Sequence, residues 1–220
     1  MALIVFDLDG TLIDSAPDIH LIANNILASE GRAPLSLDNA RDFIGNGASV
    51  FVQKMRKARD IGDEEHERLL GLFMAGYDDA IHLTKPYEGV GDMLTKLKAD
   101  GHQLGICTNK PLRPCTIVLT HLGLDGYFGA ILGGDSLSTH KPDPAPLHAT
   151  FEKLGDGPRI YVGDSDVDAE TAERAGVPFL IYAHGYAKRP IGELVHDHAF
   201  EHHDEVVGLV GQILRRNEHA

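Results

Sequence analysis

The chain has 220 residues, 43% apolar and 24% charged, with Lys+Arg 20 against Asp+Glu 33 and a formal net charge of -13. Such a chain makes one or two globular domains and buries roughly 70% of its unfolded surface, so it needs no disulfide or metal staple, and Cys107 and Cys115 are too few for a disulfide framework. The acidic balance argues against nucleic acid and membrane as partners, and no basic segment precedes a long apolar one, which predicts a cytoplasmic protein that meets small anions at a local positive site.

In chain order, an apolar run predicts a first strand over Leu3–Phe6, ending in "DLDGT" with Asp7, Asp9, Gly10 and Thr11. From Ala16 to about Thr84 the periodicity is helical, with no convincing strand. Ser15, Pro17 and Asp18 read as the start of its first helix, Asp14 as part of a hinge, and Pro86–Val90 as a breaker-rich return. Strands and helices then alternate. Strands are predicted over Gln103–Cys107, Ala130–Leu132, Ile160–Val162 and Phe179–Tyr182, and helices over Gly91–Ala99, Pro114–Leu122, Pro146–Leu154, Asp166–Ala175 and Glu205–Leu214. This rhythm predicts a doubly wound, mainly parallel, Rossmann-like α/β core formed by residues 1–14 and 85–220, with residues 15–84 inserted as a helical cap.

Ligands of open parallel sheets bind at the carboxyl ends of the strands, where this chain gathers its polar groups. Asp7 and Asp9 follow the first strand, Thr108, Asn109 and Lys110 the second, and "GDSDVD" with Asp164 and Asp168 the fourth; Lys141 of "HKPDP" precedes a helix. Phosphoryl transfer uses such a set. A carboxylate can attack phosphorus to form an aspartyl phosphate, a cation such as Mg²⁺ offsets the repulsion between the two anions, and a second carboxyl can protonate the leaving oxygen. On that chemistry Asp7 and Asp164 would hold Mg²⁺ with the backbone carbonyl of Asp9. The Asp9 side chain would act as acid and base, and Thr108, the amides near Gly10, and Lys141 would meet the phosphoryl oxygens.

Other patterns have plainer explanations. Ser165 with Asp168 fits a capping box closed off by Gly176, so Asp168 is either structural or a support for the metal. Cys107 reads as a small core residue. The histidines of "HDHAFEHHDE" match no closed zinc spacing, and Ala199 and Phe200 among them look like a short buried strand. In the insertion, the glycine-rich Ile44–Ser49 could offer backbone amides to an anion. Arg41, Lys54, Arg56, Lys57 and Arg59 are candidates for reading the rest of a substrate, as are His20 and Asn24.

"DLDGT", "TN", Lys141 and "GDSDVD", in this order and at these strand ends, resemble the haloacid dehalogenase superfamily of phosphatases. The likeness spans essentially the whole chain, and the helical insertion resembles that superfamily's cap. "FDLDGTLIDSAPDI", "FIGNGA", "ICTNKP", "GGDSLSTHKPDPAPL" and "YVGDSDVDAETAERAG" are most similar to members that hydrolyse 2-phosphoglycolate. The resemblance implies Asp7 as nucleophile, Asp9 as general acid/base, Thr108 and Asn109 as phosphate contacts, Lys141 as charge clamp and Asp164 as a Mg²⁺ ligand supported by Asp168. It also implies a small phosphate ester as substrate and a monomer or homodimer. Another small-molecule or sugar-phosphate phosphatase, or a phosphomutase of the same superfamily, is the alternative. A dehalogenase would need neither Asp9 nor Asp164, and a phosphorylated receiver module would need neither the second Asp of "DLD" nor an insertion.

Overall fold

The computed structural model describes residues 1–217. Six strands form one all-parallel sheet in the order β5-β4-β1-β6-β7-β8. They are β1 (Leu3–Phe6), β4 (Gln103–Cys107), β5 (Ala130–Leu132), β6 (Arg159–Gly163), β7 (Phe179–Tyr182) and β8 (His198–Phe200). β1 lies at the centre, in register with β4 (Phe6 opposite Ile106) and with β6 (Phe6 opposite Val162). The ends of β1, β4 and β6 are therefore neighbours, and the residues that follow them meet.

Alternation along the strands builds the layers. On one face, Ile4, Phe6, Leu104, Ile106, Ile160 and Val162 pack against α5 (Val90–Ala99), α6 (Leu112–His121) and α9 (Glu205–Asn217). On the other, Leu3, Val5, Tyr161, Phe179 and Ile181 pack against α7 (Ala145–Leu154) and α8 (Asp166–Ala175). α6 begins two residues earlier than its periodicity suggested. Pro114 falls in its first turn, where a missing N–H breaks no intrahelical bond. α8 opens with the capping box of Ser165 and Asp168 and ends at Gly176, whose φ of 64° is left-handed.

Between β1 and α5 lie α1 (Ala16–Ser29), α2 (Leu37–Phe43), α3 (Ala48–Lys57) and α4 (His66–Tyr77). They bury a cluster of their own around Ile19, Leu27, Phe51, Met55, Leu69 and Phe73. The chain leaves and re-enters through a two-stranded antiparallel ladder, β2 (Ile13–Asp14) with β3 (Lys85–Pro86). Ser15 and Asp18 do not form the helix cap that their spacing suggested. Ser15 stands at the N-cap of α1 without a side-chain cap bond, while Asp18 Oδ2 accepts from Leu83 N, Thr84 N and Thr84 Oγ1 at 3.0, 2.7 and 2.7 Å. The outgoing and returning chains are thereby tied by a buried carboxylate. Among the described residues no helix is long and apolar enough to cross a membrane.

Candidate active site

Asp7, Asp164 and Asp168 converge at the ends of β1 and β6, each offering an oxygen within 4.8 Å of the others, and all three are buried. Their surroundings set them apart. Asp168 Oδ1 accepts from Lys141 Nζ at 2.7 Å and Tyr161 OH at 2.6 Å, and its Oδ2 accepts from Asp164 N, Ser165 N and Ser165 Oγ at 3.3, 3.1 and 2.6 Å. With so many donors its lone pairs are occupied. Asp168 is a positioning residue that holds the Lys141 ammonium while it caps α8.

Asp7 is the opposite case: its Oδ1 is buried and makes no hydrogen bond, although Lys141 Nζ lies 3.0 Å away. The Lys141 ion pair gives this oxygen one cationic neighbour but no aligned hydrogen bond, which leaves a lone pair for a further cation. Asp164 stands beside it, fixed by Thr11 Oγ1 on Oδ1 at 2.5 Å and Tyr186 N on Oδ2 at 2.6 Å. An all-oxygen donor set with a free Asp7 oxygen fits a hard divalent cation.

Burial lifts the Asp7 carboxyl to about 7 against the pull of the Lys141 ammonium, with the charge of Asp168 adding to the rise. Burial, with the charges of Asp168 and Asp7, likewise raises Asp164 well above the carboxylate range. Burial works against the Lys141 ammonium, but Asp168 and Asp7 outweigh it and hold the proton more tightly than usual. Burial also opposes ionisation of Asp168, yet Lys141 and the surrounding hydrogen bonds keep that carboxyl below its ordinary value.

A folded-state value above the unfolded one means that protonation stabilises the fold. For Asp7 that contribution is present at low pH and is lost as pH rises from about 4 through about 7. A divalent cation must displace the same proton. Its binding is therefore expected to strengthen over that window, and the gain in Tm at fixed cation concentration should be larger at pH 8 than at pH 5.5. Equal gains at the two values would show that Asp7 is already ionised in the cation-free protein.

The Asp9 side chain stands outside this cluster. Its two oxygens lie 3.2 and 3.4 Å from the Nζ of Lys110, which also reaches Tyr77 OH at 3.2 Å. Thr108 is buried at the end of β4, and its Oγ1 accepts from Lys110 N at 3.2 Å, so the hydroxyl hydrogen is left to donate elsewhere. Asp7, Asp9, Thr108 and Lys110 line a cavity of about 30 Å³, whose wall on the insertion side includes Ile44, Phe51, Phe73 and Tyr77.

Two expected substrate contacts are otherwise engaged. Asn109, expected on the phosphate side, does line the cavity, but its side-chain amide is engaged. Its Nδ2 donates to Lys141 O at 2.9 Å and Gly45 O at 3.0 Å, and its Oδ1 accepts from Lys141 N at 3.0 Å. That amide positions the Lys141 backbone and joins it to the glycine turn of the insertion. The Gly10 N–H, expected to meet a phosphoryl oxygen, donates to Ile13 O at 2.9 Å. The need for glycine at position 10 is steric. Its φ is 88°, and a Cβ there would lie 2.4 Å from Asp164 Oδ2.

The basic residues expected to read the substrate are also placed elsewhere. Arg41 pairs with Asp14 at 3.4 Å and Arg56 with Asp63; Lys54 and Arg59 donate to backbone carbonyls, and Lys57 is exposed. His20 and Asn24 bond to each other and to Leu35 O. None of these seven lines the cavity. Burial pushes the Cys107 thiol up to about 12, which removes it as a nucleophile. Phe200 is buried in β8, and His203 is buried with Nε2 2.8 Å from Thr11 O; among the described residues the histidines of this run form no cluster with the spacing of a metal site.

Three residues to which the sequence assigns no role take part: Thr11 and Lys110, already noted at the strand ends, and Tyr186. Thr11 sits inside "DLDGT" and holds Asp164. Lys110 sits inside "TNK" and faces Asp9. Tyr186 follows β7, so the strand-end rule alone would have marked it; its N–H holds Asp164 and its hydroxyl donates to Asp14 Oδ1 at 2.6 Å while accepting from Ser15 N and Ala16 N.

Chemically, the site combines a buried carboxylate with a free oxygen, a fixed ammonium, a hydroxyl donor and a second carboxyl at the cavity wall. It is equipped for nucleophilic attack on a small, highly charged group. The family model for haloacid dehalogenase-like hydrolases matches residues 4–182, and the chain belongs to that family. It is 47% identical over 214 residues to a phosphoglycolate phosphatase of Cereibacter sphaeroides (strain ATCC 17029 / ATH 2.4.9), covering 96% of this chain and 98% of the relative. A phosphoglycolate phosphatase of Rhodobacter capsulatus is 38% identical over 209 residues, 94% of this chain and 95% of the relative. Among solved structures, a predicted phosphoglycolate phosphatase from Haemophilus somnus 129pt superposes with a TM-score of 0.89 at 32% identity, covering 96% of this chain and 98% of the other.

Proposed function

We infer that the protein is a Mg²⁺-dependent phosphomonoesterase that hydrolyses 2-phosphoglycolate to glycolate and phosphate through an aspartyl phosphate on Asp7. The observation that carries this reading is the unbonded Oδ1 of Asp7, set between Lys141 and Asp164 in a buried carboxylate cluster at the end of β1. The relatives' names supply the substrate.

Asp7 and Asp164, with the Asp9 carbonyl, would hold Mg²⁺, which when bound screens the repulsion between carboxylate and phosphate. An Asp7 oxygen attacks phosphorus, and the bond from phosphorus to the ester oxygen breaks. Asp9 gives that oxygen its proton, and glycolate leaves. Asp9 then takes a proton from water as the water attacks phosphorus, the bond to Asp7 breaks, and inorganic phosphate is released. Thr108 Oγ1 donates to a phosphoryl oxygen, and the Lys141 ammonium, held by Asp168 and Tyr161, neutralises developing charge.

Residues 15–84 act as the cap in this reading. The cavity of about 30 Å³ is narrow for a phosphate ester, and an outward movement of the cap would widen it for substrate and product. Turnover of a panel containing 2-phosphoglycolate, ethyl phosphate, hexose phosphates and p-nitrophenyl phosphate tests the assignment. Highest kcat/KM for 2-phosphoglycolate, with Mg²⁺ required, is the expected result. Highest kcat/KM for a hexose phosphate would place the protein among sugar-phosphate phosphatases instead.

A further inference from the structure

We propose that Lys110, a residue of the sheet domain, is the specificity-determining cation that binds the carboxylate of the substrate; this rests on the reading of the site as a 2-phosphoglycolate phosphatase. Any second anionic group must find a positive partner inside a small, buried cavity. Lys110 is the one Lys, Arg or His among the residues lining it. The basic side chains of α2, α3 and the turn after α3 are engaged with Asp14, Asp63 and backbone carbonyls or face solvent.

Lys110 is 5% exposed; burial works against its ammonium, but Asp9 and Tyr77 outweigh it and keep the group charged. Its distances to Asp9, 3.2 and 3.4 Å, are long beside the 2.7 Å of Lys141 to Asp168 and beside the usual ~2.7–2.9 Å of a charge-assisted bond. Tyr77 adds one neutral contact and a ring face 4.3 Å from Nζ. An ammonium has three donors, here directed at the two oxygens of Asp9 and at the Tyr77 hydroxyl, so an arriving carboxylate takes over the donor now given to the neutral hydroxyl or to the longer Asp9 contact. A buried cation with long bonds gains from a ligand more than an exposed one does.

Its position is also right for the bond that breaks. Asp9 is the group that protonates the ester oxygen, and in 2-phosphoglycolate the carboxylate carbon is two bonds from that oxygen. A cation touching Asp9 therefore stands beside the arriving carboxylate. A substrate that is longer, or neutral at that end, brings nothing to the ammonium, which accounts for selection of a short dianionic-plus-anionic ester without a cation from the cap.

The test compares kcat/KM for 2-phosphoglycolate and for ethyl phosphate, which lacks the carboxylate, in the wild type, Lys110→Gln and Lys110→Arg, each confirmed folded by Tm; K110M replaces K110Q if the latter does not fold. In the wild type 2-phosphoglycolate should be the better substrate. In K110Q the ratio of the two values should fall roughly ten- to a hundredfold, mostly through KM for 2-phosphoglycolate, and K110R should restore much of it. Equal losses on both substrates would overturn the proposal and leave Lys110 as a support for Asp9. An unchanged ratio, with the wild-type preference intact, would overturn it in favour of the backbone amides at Gly47 and Ala48. If the wild type itself shows no preference, the substrate assignment fails and the proposal with it.

Discussion

Asp7→Asn is expected to lower turnover at least ~10⁴-fold, the scale on which removal of an attacking group acts, while the fold is kept. The amide matches the carboxylate in size but cannot form an acyl phosphate. Structurally the change is mild, because Lys141 retains Asp168 at 2.7 Å and Tyr161 at 2.9 Å, and the repulsion among Asp7, Asp164 and Asp168 is relieved. Above pH 7 the variant's Tm should therefore equal or exceed that of the wild type in the absence of cation. Rates and melting curves on the same purified sample check both halves. A near wild-type rate would dismiss the covalent mechanism, and a collapsed Tm would make loss of activity uninformative.

The second large effect is expected at Asp9. Asp9→Asn should cost about 10²–10⁴-fold on an alkyl phosphate, the usual value of a positioned acid. The loss should shrink for p-nitrophenyl phosphate, whose leaving group departs without a proton. If Asp9 serves both half-reactions, as proposed, steady-state rates would mix the loss of the acid with the loss of the base. Single-turnover measurement of phosphoenzyme formation isolates the first. Equal losses on the two esters in that step would show that Asp9 acts chiefly by holding Lys110, with which it is paired.

The strands were the most legible part of the chain. β1, β4, β5 and β7 have the limits that their apolar runs predicted, because strands of a parallel sheet covered on both faces are largely apolar; Asp7 and Gly133 cut off β1 and β5, and Pro178 precedes β7. β2 and β3 were invisible, since two residues carry no periodicity, and only their pairing across Ile13 and Pro86 defines them. Residue types that bear chemistry were legible where they follow a strand. Their partners were not. Asn109 stands in the right motif, yet its amide is turned to Lys141 and Gly45, a choice made by contacts 32 and 64 positions away. Asp18 has the spacing of a helix cap and instead secures Thr84, 66 positions on. Local spacing proposes a hydrogen bond, and tertiary structure awards it to another donor whenever burial would leave that donor unpaired.

The enclosure of Asp164 imposes a limit of another kind. A Cβ at Gly10 would lie 2.4 Å from its Oδ2, and a Cβ at Gly185 would lie 2.3 Å from its Cβ. The carboxylate is thus gripped from two loops that are 175 positions apart in the chain, and neither loop can accept even a methyl group. Two residues without chemistry of their own are in this way as restricted as the acid between them. Replacing either glycine by alanine is therefore expected to displace the Asp164 carboxylate or the loop that carries the new methyl group.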